Sequence, residues 1–235
     1  NCLNAVAATY PRYRDRSGRV ESISFRINEC MERSLNGQSL DTNGIEMQAI
    51  IAYLQWLGAG VQKGVRPVGA GVPELPYLER AADPARGKIA YSVHCAKCHT
   101  QSGAGQYLPD SSGYLYPPLW GAASFNTGAG MFRISKLAAF IRYNMPFGTN
   151  HQNPVLTNEE AWDIAAHIVS QKRPDKSFVY DWKDITRKPV DYPFAPFADS
   201  FPAEQHKYGP FPPILAKKKR LSQYNEAAFF YFLLR

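Results

Sequence analysis

Asp83-Pro-Ala-Arg-Gly-Lys-Ile-Ala-Tyr-Ser-Val-His94-Cys95-Ala-Lys-Cys98-His99 is the stretch from which the rest of the chain is read. Asp followed by Pro is an N-cap and first-turn pair, so a helix is expected to open at Asp83-Pro84 and lead into Cys95. Two thiols at the spacing of Cys95 and Cys98 lie on one turn and can form two thioether bonds to one porphyrin. His99, next in sequence, then reaches the iron from the proximal face. The pattern points to a covalently attached haem c and to electron transfer. A zinc site would need further ligands, and Cys2 and Cys30 lie in another part of the chain. A redox dithiol belongs to a βαβ context, which the flanking patterns do not offer.

A soft sixth ligand on the distal face raises the reduction potential. Met145 is the leading candidate: it sits in Asn144-Met145-Pro146, after a helix expected over about 135–143, and Pro146 restricts it to an extended conformation. Met131 is the runner-up, because Gly128-Ala-Gly130 before it would let backbone approach a haem edge. Thr157-Asn-Glu-Glu160 is a capping box opening a last helix with Trp162, Ile164, Ala165 and Ile168. Helix, haem motif, long Gly/Tyr/Pro loop, short helix, Met-bearing loop and final helix are the order expected of a small haem c domain. His94, His151, His167 and His206 carry no ligand pattern and read as surface or satisfied core residues.

Upstream, residues 23–35 read as a helix stopping at Asn36-Gly37. Met47, Ile50, Ile51, Leu54 and Leu57 recur at helical spacing and end at Gly58-Ala-Gly60. A Gly/Pro/Val-rich linker follows from about 63 to 76. Arg26, Cys30 and Ser34 fall at i, i+4 and i+8, so one helical face would carry all three. A cationic neighbour favours a thiolate, and an Arg fork suits an oxyanion. A structural cysteine, paired with Cys2 in a disulfide, is the equal alternative on spacing alone.

The 235 residues carry a formal charge of +7, which suits attraction of small anions. Aromatic residues do not interleave with Lys and Arg as in a nucleic-acid surface, and no apolar run approaches the roughly 20 residues of a membrane span. Lys217-Lys-Lys-Arg220 reads as a solvated run, and the apolar stretch 227–234 as a last core helix. Residues 175–213 hold many Pro and aromatic residues and are expected to be an ordered wrap, since so many rings need burial. The sequence starts at Asn1 without a signal-peptide pattern, which suggests a processed or incompletely represented protein.

Tyr10-Pro-Arg-Tyr-Arg14 and Arg26-Ile-Asn-Glu-Cys30-Met-Glu-Arg-Ser34-Leu-Asn-Gly37 resemble the N-terminal domain of the dihaem thiosulfate dehydrogenases. Tyr116-Pro-Pro-Leu-Trp-Gly121, Ser124-Phe-Asn126, Gly128-Ala-Gly-Met131 and Asn144-Met145-Pro146-Phe-Gly148 resemble their second domain. The similarity covers roughly residues 3 to 173. It implies an all-α fold of two cytochrome c-like helical domains: residues 1–62, a linker 63–82, a haem c domain 83–173 and an extended tail 174–235. It also implies a periplasmic or extracytoplasmic protein that couples two thiosulfate ions into tetrathionate, or the reverse. Cys30 would be distal ligand of a first haem iron and the catalytic centre, with Ser34, Arg26 and Arg16 lining the anion pocket. Electrons would leave through a second haem ligated by His99 and Met145, to a redox partner cytochrome or respiratory complex. Asn144 stands where some relatives carry a Lys that switches ligands, so no such switch is expected.

The match breaks at the first haem motif. No His precedes His94, and Asn1-Cys2-Leu-Asn-Ala5 reads as though the remainder of a motif begun by Cys2 had been cut out. Either residues are missing there or the first haem has been lost. Retention of Cys30, Arg26 and Ser34 favours the former; the latter would favour a Cys2–Cys30 disulfide, with Cα atoms within about 7 Å. A non-catalytic electron relay within a larger respiratory assembly is the competing function.

Overall fold

The computed structural model describes residues 3–178 and 180–221. Cys2 and the apolar stretch 227–234 lie outside the described residues, and so do the expectations that rest on them. The architecture is helical, as expected, with two small antiparallel hairpins that the sequence patterns did not announce.

The first unit opens with α1 (Ala5–Thr9) and a hairpin of β1 (Arg12–Arg14) and β2 (Arg19–Glu21). Ser22 caps α2 (Ile23–Glu29), its hydroxyl accepting from the Phe25 amide. The helix expected to continue to residue 35 changes register: Cys30–Ser34 is a π-helical turn, closed by the Leu35 amide donating to the Cys30 carbonyl at 3.0 Å. α3 (Ile45–Leu57) follows. Of its expected apolar stripe, Met47 and Leu54 are buried, forming a small core with Ile27, while Ile50, Ile51 and Leu57 are half-buried. The elements packed against α3 are the short α1 and α2, too small to cover a full face.

In the second unit Asp83 caps α4 (Pro84–His94), accepting from the amides of Ala85 (2.7 Å) and Arg86 (3.3 Å). α5 (Ala96–His99) is the single turn carrying the haem motif. The long loop is pinned by β3 (Gln106–Tyr107) paired with β4 (Tyr114–Tyr116) and by a 3-10 turn at Gly130–Phe132. α6 (Ile134–Asn144) and α7 (Asn158–Ser170) complete the unit, and α7 begins with the full Thr157/Glu160 capping box. Nearly all of α7 is buried, packed on α4 and α6.

The crossing of α4 with α7 is set by Gly87. Any Cβ there would overlap the carbonyl of Asp163 and press on His167. A glycine inside a helix costs about 1 kcal/mol against Ala, and here that loss is offset by a close helix contact. Asp163, 4% exposed, fastens the crossing: it takes both arms of the Arg80 fork at 2.8 Å and accepts the Asp83 amide at 2.8 Å.

Residues 174–221 lie across both units. The Arg187 guanidinium meets Asp15 at 3.1 Å in the first. In the second, buried Asp191 holds Arg133 (2.6 Å) and the Ser135 amide (3.1 Å). The last carbonyl of α8 (Ala203–Tyr208) accepts from the Ala82 amide at 2.8 Å, and Phe211 packs against Tyr77 and Trp162. Phe211 thus joins the core and Phe194, Phe201 and Tyr208 pack against it, the physical reason the region is ordered.

Gly87→Ala is expected to destabilise the second unit by at least about 2 kcal/mol, the usual scale for overpacking a tight contact. Chemical denaturation followed by helical circular dichroism would read it; an unchanged midpoint would refute the close-crossing account.

Candidate active site and haem motif

Cys95 ends α4 and Cys98 and His99 occupy the α5 turn, all three half-buried. His99 Nδ1 lies 2.8 Å from the Pro117 carbonyl oxygen. A carbonyl only accepts, so Nδ1 carries the proton and Nε2 keeps its lone pair free for a metal. That is the second-shell arrangement that orients a ligating imidazole. Pro117 belongs to the Tyr116-Pro-Pro-Leu-Trp-Gly121 run, whose contribution to the site is thus a backbone acceptor. Gly103 lets Trp120 lie flush on the loop, and Trp120 in turn packs on Tyr91 and His167 beneath the motif.

Burial pushes the Cys95 thiol up to about 11, with Cys98 adding to it. Redox dithiols and zinc thiolates need the opposite shift. Among the described residues no group of three or more His, Cys, Asp or Glu converges as a metal site. The donor set at Cys95, Cys98 and His99 therefore fits a thioether-bound haem.

Met145 caps the C-terminal end of α6 in an extended conformation, φ −132° and ψ 149°, as expected of a residue before proline. It is half-buried yet takes no part in the packed core. Met131 packs against that core from its 3-10 turn. A side chain absorbed by packing is a poor ligand candidate, so the geometry favours Met145. Of the other histidines, His167 packs against Tyr91 (tilted) and Trp120 (edge-on). His206 bonds the Val190 carbonyl and Asp199 through its two nitrogens, at 2.7 and 3.0 Å. His151 is exposed and His94 half-buried.

The second constellation lies at the π-helical turn. Cys30 is a free, half-buried thiol, and Arg26 Nη1 donates to its sulfur at 3.1 Å. Burial pulls the Arg26 pKa down, but the opposite charge of an ionised Cys30, with Tyr10 and Glu29, outweighs it and lifts the value. Glu29 is 3% exposed and anchors three guanidinium groups. Arg16 bonds it directly, Arg33 Nε stands 3.6 Å away, and Arg26 Nη1 3.9 Å away. Burial and then the neighbouring Arg33 charge push the Arg16 pKa down. Arg16 Nε is buried without a hydrogen-bond partner, and so are Arg33 Nε and Glu29 Oε2.

One expectation changes here. Arg26, Cys30 and Ser34 do not share one face: an i→i+5 turn is wider than an α-turn, so Ser34 leaves the line and is exposed. The Cys2–Cys30 pairing rests on Cys2, outside the described residues, while Cys30 stands as a free thiol. Two residues were missed altogether. Glu29 stands in the run around Cys30, and a carboxylate flanked by Arg26 and Arg33 was a legible hint of an ionic cluster. Arg33 carried no separate signal, because its partners lie far away in sequence.

Residues 1–62 match the SoxA/TsdA cytochrome c domain, and residues 84–172 match the cytochrome c domain. Thiosulfate dehydrogenase of Allochromatium vinosum is 41% identical over 169 residues, covering 72% of this chain and 61% of that protein. Thiosulfate dehydrogenase of Psychrobacter arcticus is 42% identical over 175 residues, covering 74% of this chain and 52% of that protein. The chain belongs to the thiosulfate dehydrogenase family of c-type cytochromes. A solved thiosulfate dehydrogenase (TsdBA) of Marichromatium purpuratum superposes with a TM-score of 0.69 at 38% identity, covering 74% of this chain and 37% of that one. The chain thus spans about half to three fifths of the length of these curated relatives.

The cofactor of such domains is haem c, and Cys95-Ala-Lys-Cys98-His99 is its attachment motif here. In the domain matched at 1–62 the residues present do not complete a second motif: no CxxCH precedes Cys95 and no His precedes His94.

Replacing Cys95 and Cys98 together by Ala is expected to abolish haem that survives denaturing electrophoresis, read by in-gel peroxidase staining. Staining retained in the double variant would show attachment elsewhere.

Proposed function

We propose that this chain oxidises thiosulfate to tetrathionate, or runs the reverse reaction, at Cys30, and passes the electrons out through the haem held by Cys95, Cys98, His99 and Met145. The observation that carries this reading is the free Cys30 sulfur held by Arg26 at the edge of a buried arginine cluster, in a family whose named members are thiosulfate dehydrogenases.

The chemistry needs a nucleophilic sulfur and cations to hold dianions together. The Cys30 thiolate joins the terminal sulfur of one thiosulfate, forming a cysteine S-thiosulfonate and releasing two electrons. The terminal sulfur of a second thiosulfate then attacks the sulfur attached to Cys30. Tetrathionate leaves and the Cys30 thiolate returns, so atoms and charge balance over the cycle. Bound haem c would supply one-electron acceptor chemistry, so the two electrons would leave one at a time to the redox partner. Arg26 orients the Cys30 sulfur, while the positive field of Arg16 and Arg26 offsets repulsion between the incoming anions. This is electrostatic preorganisation more than acid–base catalysis. Arg16 keeps one buried N–H free for an acceptor. Ser34, exposed at the end of the turn, would act at the rim of the pocket. His99 and Met145 would hold the exit haem, the thioether raising its potential.

We place the protein on the extracytoplasmic face of a bacterial membrane, with a redox cytochrome or respiratory complex as electron acceptor; among the described residues no helix is long and apolar enough to span a bilayer. The incomplete first motif favours one rival, a relay passing single electrons between proteins. Haem count per chain separates them: two haems by pyridine haemochrome absorbance match the enzyme, one matches the relay.

Cys30→Ala is expected to lower thiosulfate-dependent reduction of an artificial acceptor at least about a hundredfold, with the visible spectrum of the Cys95/Cys98 haem unchanged. Activity that survives the substitution defeats the proposal.

Met145→Ala is expected to lower the reduction potential of that haem, read by spectroelectrochemical titration, while Met131→Leu leaves it in place. The opposite pattern would move the sixth ligand to Met131.

A further inference from the structure

The segment that follows Pro174 lies outside both family matches, and it covers the arginine cluster. Thr127 donates to Asp175 at 2.6 Å, and Lys176 reaches the carbonyl of Gly37 at 3.2 Å. Phe178 lies flat on Gly128, where a Cβ would overlap its ring, and the Arg33 guanidinium stacks on the same ring at 3.5 Å. Asp181 then takes the Arg33 fork with both oxygens at 2.7 Å, and the Trp182 amide donates to the Arg16 carbonyl at 2.6 Å. Arg33 Nη1 also donates to the Gly128 carbonyl at 3.1 Å.

The two terminal nitrogens of Arg33 are thereby consumed by Asp181 and Gly128. Its Nε remains 3.6 Å from Glu29, whose other oxygen is 3.9 Å from the Arg26 nitrogen that holds the Cys30 sulfur at 3.1 Å. Charge therefore alternates from Asp181 through Arg33 and Glu29 to Arg26 and Cys30. Asp181 is four contacts from the sulfur, and Arg33 and Asp181 are nearly dry, with side chains 8% and 9% exposed. Between groups so little exposed to water, charge is only weakly screened.

We propose that Asp181 is a specificity-determining residue of the Cys30 site: it holds Arg33 away from the anion pocket and cancels its charge, and so sets how tightly sulfur oxyanions are held. The inference rests on the reading of Cys30 as the thiosulfate site. A segment foreign to the matched domains supplies the carboxylate, so the tail tunes a pocket that the domain itself forms. Three guanidinium groups facing a dianion would hold substrate and product tightly; removing one from play favours turnover.

The test is calorimetric titration of thiosulfate into the full haem-loaded chain without an electron acceptor. Asp181→Asn is expected to bind about tenfold more tightly, because Arg33 is released and its charge uncancelled. Arg33→Gln is expected to bind about tenfold more weakly, because Asp181 is then unpaired. The double variant is expected to return close to the parent. A purely structural pair would weaken binding in both single variants, and that result, or no change in either, overturns the proposal. If Asp181→Asn does not fold, judged by its haem spectrum, Arg33→Lys and Arg33→Gln decide: the charge-retaining variant should keep near-parental affinity while Gln loses it, and equal loss overturns the inference. Binding is read without catalysis, so an active Cys30→Ala variant would sink the proposed reaction while leaving the Asp181 comparison interpretable.

Discussion

A guanidinium removed from water must find opposite charge or acceptors around it, and Arg33 finds them in all three parts of this chain. Its own helix offers Glu29, the second unit offers the Gly128 carbonyl, and the tail offers the two oxygens of Asp181. Leaving such a charge unpaired in the interior costs several kcal/mol. The position of Arg33 thus ties the two units and the tail into one arrangement around the π-helical turn. Asn126 reinforces it from the second unit, donating to the Glu32 carbonyl at 2.7 Å and to Asn36 at 2.9 Å.

The two units differ in how they gain stability. The second has a large apolar core in which α7 is buried along almost its whole length. The first has a three-residue apolar centre, and beside it a cluster of buried charges. A rigid apolar scaffold suits a haem motif, whose ligands must keep their geometry. A charged, sparsely packed unit suits a site that handles dianions, at a cost in stability that contacts with the tail and the second unit offset.

The sequence is most legible where the determinants are local. The Asp83-Pro84 cap, the Thr157/Glu160 capping box and the Cys95–His99 turn each depend on a few neighbouring residues, and each forms as expected. The Arg26/Cys30/Ser34 face was misread because helical periodicity assumes an α-register. The π-helical turn widens the helix at Cys30, and no local residue pattern announces it. The apolar stripe of α3 was over-read for a related reason: periodicity shows which residues are able to be buried, while coverage depends on what packs there.

By itself, then, the sequence determined the helical class, the order of elements and the haem attachment turn, because caps, periodicity and thiol spacing act over a handful of residues. Tertiary structure alone decided that Pro117 orients His99, that Met131 packs against the core, and that Asp181 meets Arg33 across 148 positions. Those contacts join residues with no common local pattern. They arise only when burial brings a charge or a polar group to a place where a single partner is within reach.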